Sequence, residues 1–479
     1  MNNNKSESAT GFRGFPNVFW VANSVELLER AAYYGVFIVI TLYLSRILGF
    51  NDVQAAWLSG GFSAGLYFLP TFTGALADKM GFRRALLLAF ALLSVGYLSL
   101  ALLPLALEQN GLVEYGRTAT FTGLREADSR WLIVPIMIVI MIGGSFIKAV
   151  ITGTVATTTT AANRAKGFAI FYMMVNIGAF SGKTIVKPLR ESMGDLGLVN
   201  LNYFAAGMTF LAFISIFLFF KNVESNAESK SLDQILQALW RVLTKGRLIA
   251  LILIITGFWM VQHQLYATMP KYVLRMAGEG ASPSWYANVN PFVVVVTVGL
   301  VTSLMRRKTA LFSMTTGMFI MPISALAMAS GNLIQGNVDL GFMSVHPIAL
   351  MMIVGIVFQG LAESFISPRF LEFFSLQAPK GEEAMYLGFS HLHSFISSIL
   401  GFGLSGYLLD AYCPDPRKFA SHEAWQAAAG NAHYIWYIFA TIALVSAVSL
   451  IIYGRVVRYL DDKKGPLVPL KAELAEELN

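Results

Sequence analysis

The sequence has few charged residues and one cysteine, and both shortages exclude classes of protein. Only 13% of its 479 residues are Asp, Glu, Lys or Arg, whereas 56% are hydrophobic. Soluble domains carry about a quarter of charged residues, so this composition excludes an ordinary soluble enzyme. The single cysteine, Cys413, excludes an internal disulfide bond and a thiol metal site. The polar stretch 1–16 lacks the apolar core of a signal peptide, and no glycine-rich phosphate loop is present.

The hydrophobic residues form runs of about twenty or more, the length that crosses a bilayer as a helix. These runs predict twelve spans, at 17–46, 53–77, 85–107, 131–160, 167–188, 199–220, 247–272, 284–304, 309–330, 343–375, 384–410 and 431–457. The predicted fold is an all-α multi-pass membrane protein that is embedded in a lipid bilayer.

The distribution of basic residues predicts the orientation of the spans. An even number of spans places both termini on one side, whose segments hold 21 Lys and Arg against 10 on the other side. Cytoplasmic loops are enriched in these residues, so both termini are predicted to be cytoplasmic. Because the net charge of +7 reflects this topology, we expect no nucleic-acid partner.

The longest predicted cytoplasmic connection separates six spans from six spans. It covers 221–246 and contains the amphipathic stretch LDQILQALWRVL, which can lie on a membrane face. The predicted units are an N-terminal segment (1–16), a six-helix bundle (17–220), this connection, a second six-helix bundle (247–457) and a tail (458–479). Basic loops follow the second and eighth spans, so the halves resemble copies in one orientation, which is the plan of the major facilitator superfamily.

A motif between the second and third spans also resembles that superfamily, whose signature loop reads G-x-x-x-D-[RK]-x-G-[RK]-[RK]. The matching residues are Gly74, Asp78, Lys79, Gly81, Arg83 and Arg84. We expect Asp78 to close a helix, Gly81 to allow a tight turn and the cations to change partners when the halves move. The alternative is a basic cytoplasmic turn with no role in gating.

The first span contains charges, which are costly inside a bilayer and often mark functional sites. Steps of three and four residues place Glu26, Glu29, Arg30, Tyr33 and Tyr34 on one helical stripe, and Glu26 can pair with Arg30 along the helix. Two carboxylates then share one guanidinium group. Either one carboxylate takes up protons or the cluster only fixes helix packing.

This stripe resembles the first helix of the proton-coupled oligopeptide transporters, the peptide transporter family, which reads E-x-x-E-R-[FA]-x-Y-Y-G. Five further stretches match that family in order and spacing. They are Tyr67, Gly144-Ser-Phe-Ile-Lys148, the stretch GFAIFYMMVNIGA at 167–179, Phe258-Trp259 with Gln264 and Asn290-Pro291, and Glu363-Ser-Phe-Ile-Ser-Pro368. The resemblance implies a 6+6 helix fold and proton-driven import of small peptides.

The resemblance also implies individual roles. The proton-coupling candidates are Glu26, Glu29, Arg30 and Lys148, and the substrate-site candidates are Tyr33, Tyr34, Tyr67, Asn176, Trp259, Asn290 and Glu363. Asn176 and Glu363 would hold the amino end of a substrate. Two alternatives stay open: Lys148 could extend toward lipid headgroups, and Asn176 could serve only a hydrogen bond between helices.

Four positions depart from the family pattern. Phe37 stands where the family commonly has an arginine for the peptide carboxylate, which favours a changed substrate as the alternative function. Gln262 and His263 replace an acidic residue of the proton pathway, and His263 either takes that role or forms a pocket wall. Lys183 lies seven residues after Asn176, on its face, and either meets a substrate anion in place of the missing arginine or pairs locally.

The sequence therefore predicts a proton-coupled symporter of the cell membrane that imports di- or tripeptides or peptide-like solutes. We expect it to act as a monomer, with the proton as coupling ion and without a cofactor or a metal. No His, Asp and Ser constellation occurs inside the spans, so a membrane-embedded hydrolase is disfavoured. The alternatives are a relative that moves another amino- or carboxyl-bearing metabolite or exports it, and a non-transporting membrane sensor or partner subunit.

Overall fold

The computed structural model describes residues 14–115, 127–160, 163–221, 231–341, 343–376 and 383–464. Residues 1–13 of the predicted N-terminal segment and residues 465–479 of the predicted tail lie outside the described residues, as do most of the connection before residue 231 and the loop arginines at 117 and 125.

The described part of the first half is helical throughout its spans. Its helices are α1 (Asn17–Phe37), α2 (Ile40–Arg46), α3 (Asp52–Phe68), α4 (Pro70–Met80), α5 (Phe82–Gln109), α6 (Ile133–Thr157), α7 (Arg164–Met193) and α8 (Leu196–Phe219). A 45° bend separates α1 from α2, which together match the first predicted span. α3 and α4 follow each other across Leu69 and match the second span. One turn of 3-10 helix, Asp128–Leu132, precedes α6.

The second half begins with a helix in the connection. Its helices are α9 (Leu232–Thr244), α10 (Gly246–Gln262), α11 (Gln264–Ala267), α12 (Met269–Ala277), α13 (Pro283–Tyr286), α14 (Val289–Leu304), α15 (Ala310–Ser330), α16 (Pro347–Leu376), α17 (Glu383–Ser390), α18 (Leu392–Tyr412), α19 (His422–Ala429) and α20 (Tyr434–Lys464). A short antiparallel ribbon, β1 (Val338–Asp339) and β2 (Ser344–Val345), pairs Val338 with Val345, and a 3-10 turn covers Pro416–Lys418.

The helices agree with the predicted twelve spans to within a few residues at most ends. Among the described residues, ten helices are long and apolar enough to cross a membrane, and the bent pair α1–α2 makes eleven. The pair α3–α4 occupies the second position of the predicted spans. The chain is therefore a multi-pass membrane protein.

The alternation of spans defines two faces. The terminal face carries the start of α1, the turn at Gly81, helix α9 and the end of α20, and the opposite face carries the loops after α2, α12 and α18. Within the halves, α1 packs on α7 and α8, and α15 packs on α16 and α20. The division into the predicted units stays a prediction.

The two halves meet along α3 and α18, which pack closely because small residues line the contact. A Cβ atom at Gly406 would lie 2.7 Å from the Ala56 side chain, and one at Gly60 would lie 2.9 Å from the Ser398 carbonyl oxygen. The Ser63 and Ser398 hydroxyl oxygens are 2.9 Å apart in the same interface. This contact fixes the position of the first half against the second along one side of the central cavity.

Candidate functional site

A cavity of about 460 Å³ lies between the halves. Its polar lining comes from α1, α3, α6 and α7 of the first half and from α10, α11, α14, α16 and α18 of the second. The lining includes the predicted residues Glu26, Glu29, Arg30, Tyr33, Tyr34, Tyr67, Lys148, Asn176, Lys183, Trp259, Asn290 and Glu363, and three that were not predicted, Tyr266, His391 and His393. Glu26 and Glu363, which are 337 positions apart in the sequence, thus line the same cavity.

The charge cluster of α1 has the predicted arrangement. Arg30 pairs with Glu26, with Nε and Oε1 3.2 Å apart, and also with Glu29. Both carboxylate side chains are almost completely buried, and Glu26 Oε2 has no hydrogen-bond partner among the described residues. A buried carboxylate oxygen without a donor is unfavourable unless a proton, a ligand or another cation reaches it.

Among the described residues, no ion pair joins Lys148 to an acidic side chain. Its Nζ lies 3.2 Å from Nε2 of His391, which belongs to the other half. Lys148 is exposed to the cavity, so the predicted alternative in which it extends toward lipid headgroups is not the arrangement observed.

Glu363 is held by amide groups. Gln262 Nε2 donates to its Oε2 at 2.7 Å, and Asn290 Nδ2 donates to the same oxygen at 3.3 Å. No ion pair of Glu363 occurs within 4.0 Å among the described residues, so its negative charge faces the cavity without a fixed cation. Gln262, which stands where an acid was expected, therefore positions the carboxylate of α16.

Lys183 is the corresponding cation. Its side chain is 2% exposed, and its ammonium lies 5.1 Å from the centre of the Tyr34 ring and 5.6 Å from that of Tyr266. Nζ also donates to the Ala287 carbonyl oxygen at 3.4 Å. No carboxylate pairs with it within the described parts of the chain, and rings and a carbonyl compensate a buried charge only in part.

Phe37 packs within an aromatic cluster next to the cavity. Its ring stacks on Tyr33 with centroids 5.1 Å apart and lies 5.2 Å from Tyr266 and 6.0 Å from Phe402. The residue is 4% exposed and belongs to the packed core, and it is not among the residues that line the cavity.

His263 lies outside the cavity lining. It is buried between the rings of Tyr67, Trp259 and Phe402, and its Nε2 is 3.5 Å from the Ser397 hydroxyl oxygen. His263 therefore packs against residues that line the cavity and does not line it. Its predicted role in the proton pathway stays a prediction. Trp259 stacks on His393, with ring centroids 5.3 Å apart, and lines the cavity.

Asn176 also lines the cavity. Its Nδ2 donates to the Tyr172 carbonyl oxygen at 2.7 Å, one turn earlier on α7. This bond lies within one helix, and no hydrogen bond from Asn176 to another helix occurs among the described residues.

The hinge motif forms the predicted turn. Gly81, with φ of 81°, joins α4 to α5, and this left-handed conformation favours glycine. Asp78 lies in the last turn of α4, and Arg83 donates to the Phe217 carbonyl oxygen at 2.8 Å. A Cβ atom at Gly74 would lie 3.4 Å from the Ala149 side chain of α6, so the two helices approach closely there. The partner exchange predicted for Lys79 and Arg84 stays a prediction.

The opposite face is closed by charged residues from both halves, which we call the opposite-face ion cluster: Arg46, Asp52, Arg190, Asp195, Lys271, Arg275, Glu279 and Asp415. Asp52 pairs with Lys271 and Arg275, each at 2.8 Å, and all three side chains are buried. Glu279, in the loop before α13, accepts from Arg46 at 2.9 Å and from Arg190 at 2.8 Å. Burial raises the pKa of Glu279, but the hydrogen bonds and charges of the two arginines outweigh it and hold the pKa below its ordinary value.

Comparison with known proteins identifies the family. The family model described as Major Facilitator Superfamily matches residues 24–338, well over half of the chain. The chain belongs to the Major Facilitator Superfamily. Among curated proteins, this superfamily member is 26% identical over 271 residues to Dipeptide and tripeptide permease A of Serratia proteamaculans (strain 568), which is 56% of this chain and 48% of the relative. It is 30% identical over 183 residues to the protein of that name from Salmonella typhi, which is 37% of this chain and 32% of the relative.

Solved structures extend the likeness to nearly the whole chain. The POT family transporter PepTSo superposes with a TM-score of 0.67 at 16% identity, over 92% of this chain and 98% of that one. The peptide transporter POT in complex with sulfate superposes with a TM-score of 0.66 at 20% identity, over 93% and 96%. These structures confirm the predicted twelve-helix fold of the superfamily. The resemblance to the peptide transporter family is likewise confirmed, although the matched segments span only about a third to a half of the curated relatives.

Proposed function

We propose that this protein is a proton-coupled symporter that imports di- and tripeptides or peptide-like solutes by alternating access. The observation that carries the proposal is the separation of charge in the cavity: Glu363 and Lys183 both line it, and neither has an ion-pair partner within the described residues. A solute with an ammonium group at one end and a carboxylate at the other complements both. A peptide is such a solute.

The surrounding groups support recognition of each end. Glu363 and Asn176 offer acceptor oxygens to an ammonium group, and Tyr34 and Tyr67 add polar hydroxyls to the wall. Lys183 would meet the carboxylate in place of the arginine that Phe37 replaces. The names of the permease relatives and of the structural neighbours agree with this substrate class.

Proton coupling would act on the remaining charges. Glu26 has a buried oxygen without a donor, and Arg30 is shared between two carboxylates, so proton uptake by one carboxylate would release part of the guanidinium charge. We infer that the proton is the coupling ion, that no cofactor takes part and that the protein is a transporter without enzymatic activity. The protein would be located in the cell membrane, with the terminal face on the cytoplasmic side, and would act as a monomer.

The test is uptake of radiolabelled alanyl-alanine into proteoliposomes under an inward proton gradient, with and without an uncoupler. We expect uptake that stops when the uncoupler is added and that falls at least tenfold in Glu363→Gln. Glu423→Gln is the matched control, because Glu423 lies exposed on α19, away from the cavity. Absence of uptake with folded, inserted protein would contradict peptide import and favour a different amino- or carboxyl-bearing solute. Uptake that ignores the gradient would contradict proton coupling.

A further inference from the structure

His391 lies at a break between two helices on the terminal side of the cavity. It separates α17 from α18, and its ring stacks on Tyr67 of α3 with centroids 6.2 Å apart. α17 itself packs on α4 of the first half and on α9 of the connection. A movement of His391 away from the first half would therefore move α17 and the contact between the halves on the terminal face.

The contact between His391 and Lys148 depends on protonation. A lysine ammonium group has donors only, so Nε2 of His391, 3.2 Å away, must accept the hydrogen bond through its lone pair. A protonated imidazole has no lone pair and carries a positive charge. Its approach to Lys148 would then be repulsive.

The other charged and titratable groups around this pair do not replace the contact. On α18, the His393 ring lies 6.2 Å from that of His391, and on α3 the neighbour is Tyr67. On α1, Glu26 and Arg30 line the cavity near Lys148 but pair with each other. On α10, His263 lies behind Tyr67, with ring centroids 6.1 Å apart. On α16, Phe370 packs against His393, and Glu363 is bound by Gln262 and Asn290.

We propose that His391 is a positioning residue that links protonation to opening of the terminal face: neutral His391 holds Lys148 and keeps the halves together, and protonated His391 repels Lys148 and lets α17 move away from α4. The inference rests on the proposed function, because it assigns a residue to proton coupling. An imidazole suits this role, since it changes charge in the pH range that a proton gradient across a membrane covers.

The experiment measures the distance between the halves by pulsed electron paramagnetic resonance on protein in lipid nanodiscs. Spin labels are attached at Leu76→Cys on α4 and Leu371→Cys on α16, both exposed positions, in a Cys413→Ala background. We expect the distance distribution to move to longer values between pH 8.5 and pH 4.5. No peptide is added, so the result does not depend on the substrate.

Two variants fix the protonation state. His391→Gln keeps an acceptor for Lys148 but cannot gain a proton, and we expect the shorter distance at every pH. His391→Arg carries a permanent charge, and we expect the longer distance at every pH. His422→Gln on exposed α19 is the control and should keep the wild-type shift. If His391→Arg fails to fold, His391→Gln decides alone.

A wild-type shift that persists unchanged in His391→Gln would overturn the proposal, and so would a wild-type protein without any shift. A shift that disappears in His391→Gln while alanyl-alanine uptake is absent would support the role of His391 and contradict only the peptide substrate. The two proposals can therefore fail separately.

Discussion

Arg46 at the end of α2 and Glu279 in the loop before α13 join the two halves on the opposite face, with Nη1 and Oε2 2.9 Å apart. The same carboxylate accepts from Arg190 of α7 at 2.8 Å. One acidic side chain of the second half thus holds two cations of the first, and this face must separate when the cavity opens toward it.

Glu279→Gln is expected to open the opposite face more often. Loss of this shared, largely exposed carboxylate should shift the equilibrium between the closed and the open opposite face by about 1 kcal/mol, or about fivefold. The measurement is the labelling rate of Ser284→Cys, buried in this structure, by a membrane-impermeant thiol reagent in a Cys413→Ala background. Glu191→Gln is the matched control, because Glu191 is similarly exposed in the same region but pairs within α7, with Lys187 at 3.6 Å. Equal rates in both variants would contradict a role for Glu279 in closure.

The closure by Glu279 should depend on pH in one direction. Its pKa in the closed state lies below the ordinary 4.5, so its contribution is complete above about pH 4.5 and is lost as the pH falls through the lowered value. The labelling rate of Ser284→Cys is measured with Glu279→Gln and with Glu279 unchanged, and the ratio of the two rates cancels the reactivity of the thiol itself. This ratio should stay constant from pH 8 to 5 and approach one below pH 4.5. A ratio that changes between pH 8 and 6 would show that another group controls this face.

Gly182→Ala is expected to destabilise the first half. A Cβ atom there would lie 2.2 Å from the Ala31 carbonyl oxygen and 2.9 Å from the Gly35 nitrogen, both of which are backbone atoms of α1. Separating α1 from α7 should cost about 1–3 kcal/mol. Gly207→Ala, where nothing lies within 4 Å, should be neutral or slightly stabilising. Thermal unfolding of the purified variants measures both, and similar melting temperatures would contradict the close packing of α1 on α7.

Phe37→Arg tests whether the family arginine can simply be restored. The site is enclosed by Tyr33, Phe62, Tyr266 and Phe402, which offer no carboxylate to a guanidinium group. We expect a loss of about 3–5 kcal/mol in stability from the unpaired buried charge, against about 1 kcal/mol for Phe37→Leu. Thermal unfolding again decides. A stable Phe37→Arg that binds alanyl-alanine more tightly would show that the cavity can accommodate the arginine.

The sequence predicts the spans well because bilayer thickness sets their length and hydropathy marks their position. It also predicts the stripe of α1, since one regular helix fixes which residues share a face. The same rule fails at His391 and His393. In an unbroken helix they point to different faces, but the chain breaks at His391, and both rings line the cavity.

Contacts between the halves cannot be predicted from local patterns in the sequence. Arg46 and Glu279 are 233 residues apart, and Asp52 and Lys271 are 219 apart, so no local pattern couples them. Lys271 lies near the end of the predicted span 247–272, and hydropathy gives no sign that it is buried against Asp52. The contact between Lys148 and His391 could not be predicted for the same reason, because His391 lies at a helix break that depends on tertiary packing.

Recognition of both peptide ends is tested by comparing alanyl-alanine with two capped forms as competitors of uptake: N-acetyl-alanyl-alanine, which lacks the ammonium group, and alanyl-alanine amide, which lacks the carboxylate. We expect each cap to weaken competition about tenfold or more in wild type, because each removes one charge-assisted contact. In Lys183→Met, the amide and the free peptide should compete equally, whereas the acetyl cap should still weaken competition. If Lys183→Met discriminates against the amide as strongly as wild type does, Lys183 does not bind the carboxylate, and the two-ended recognition by Lys183 and Glu363 is contradicted.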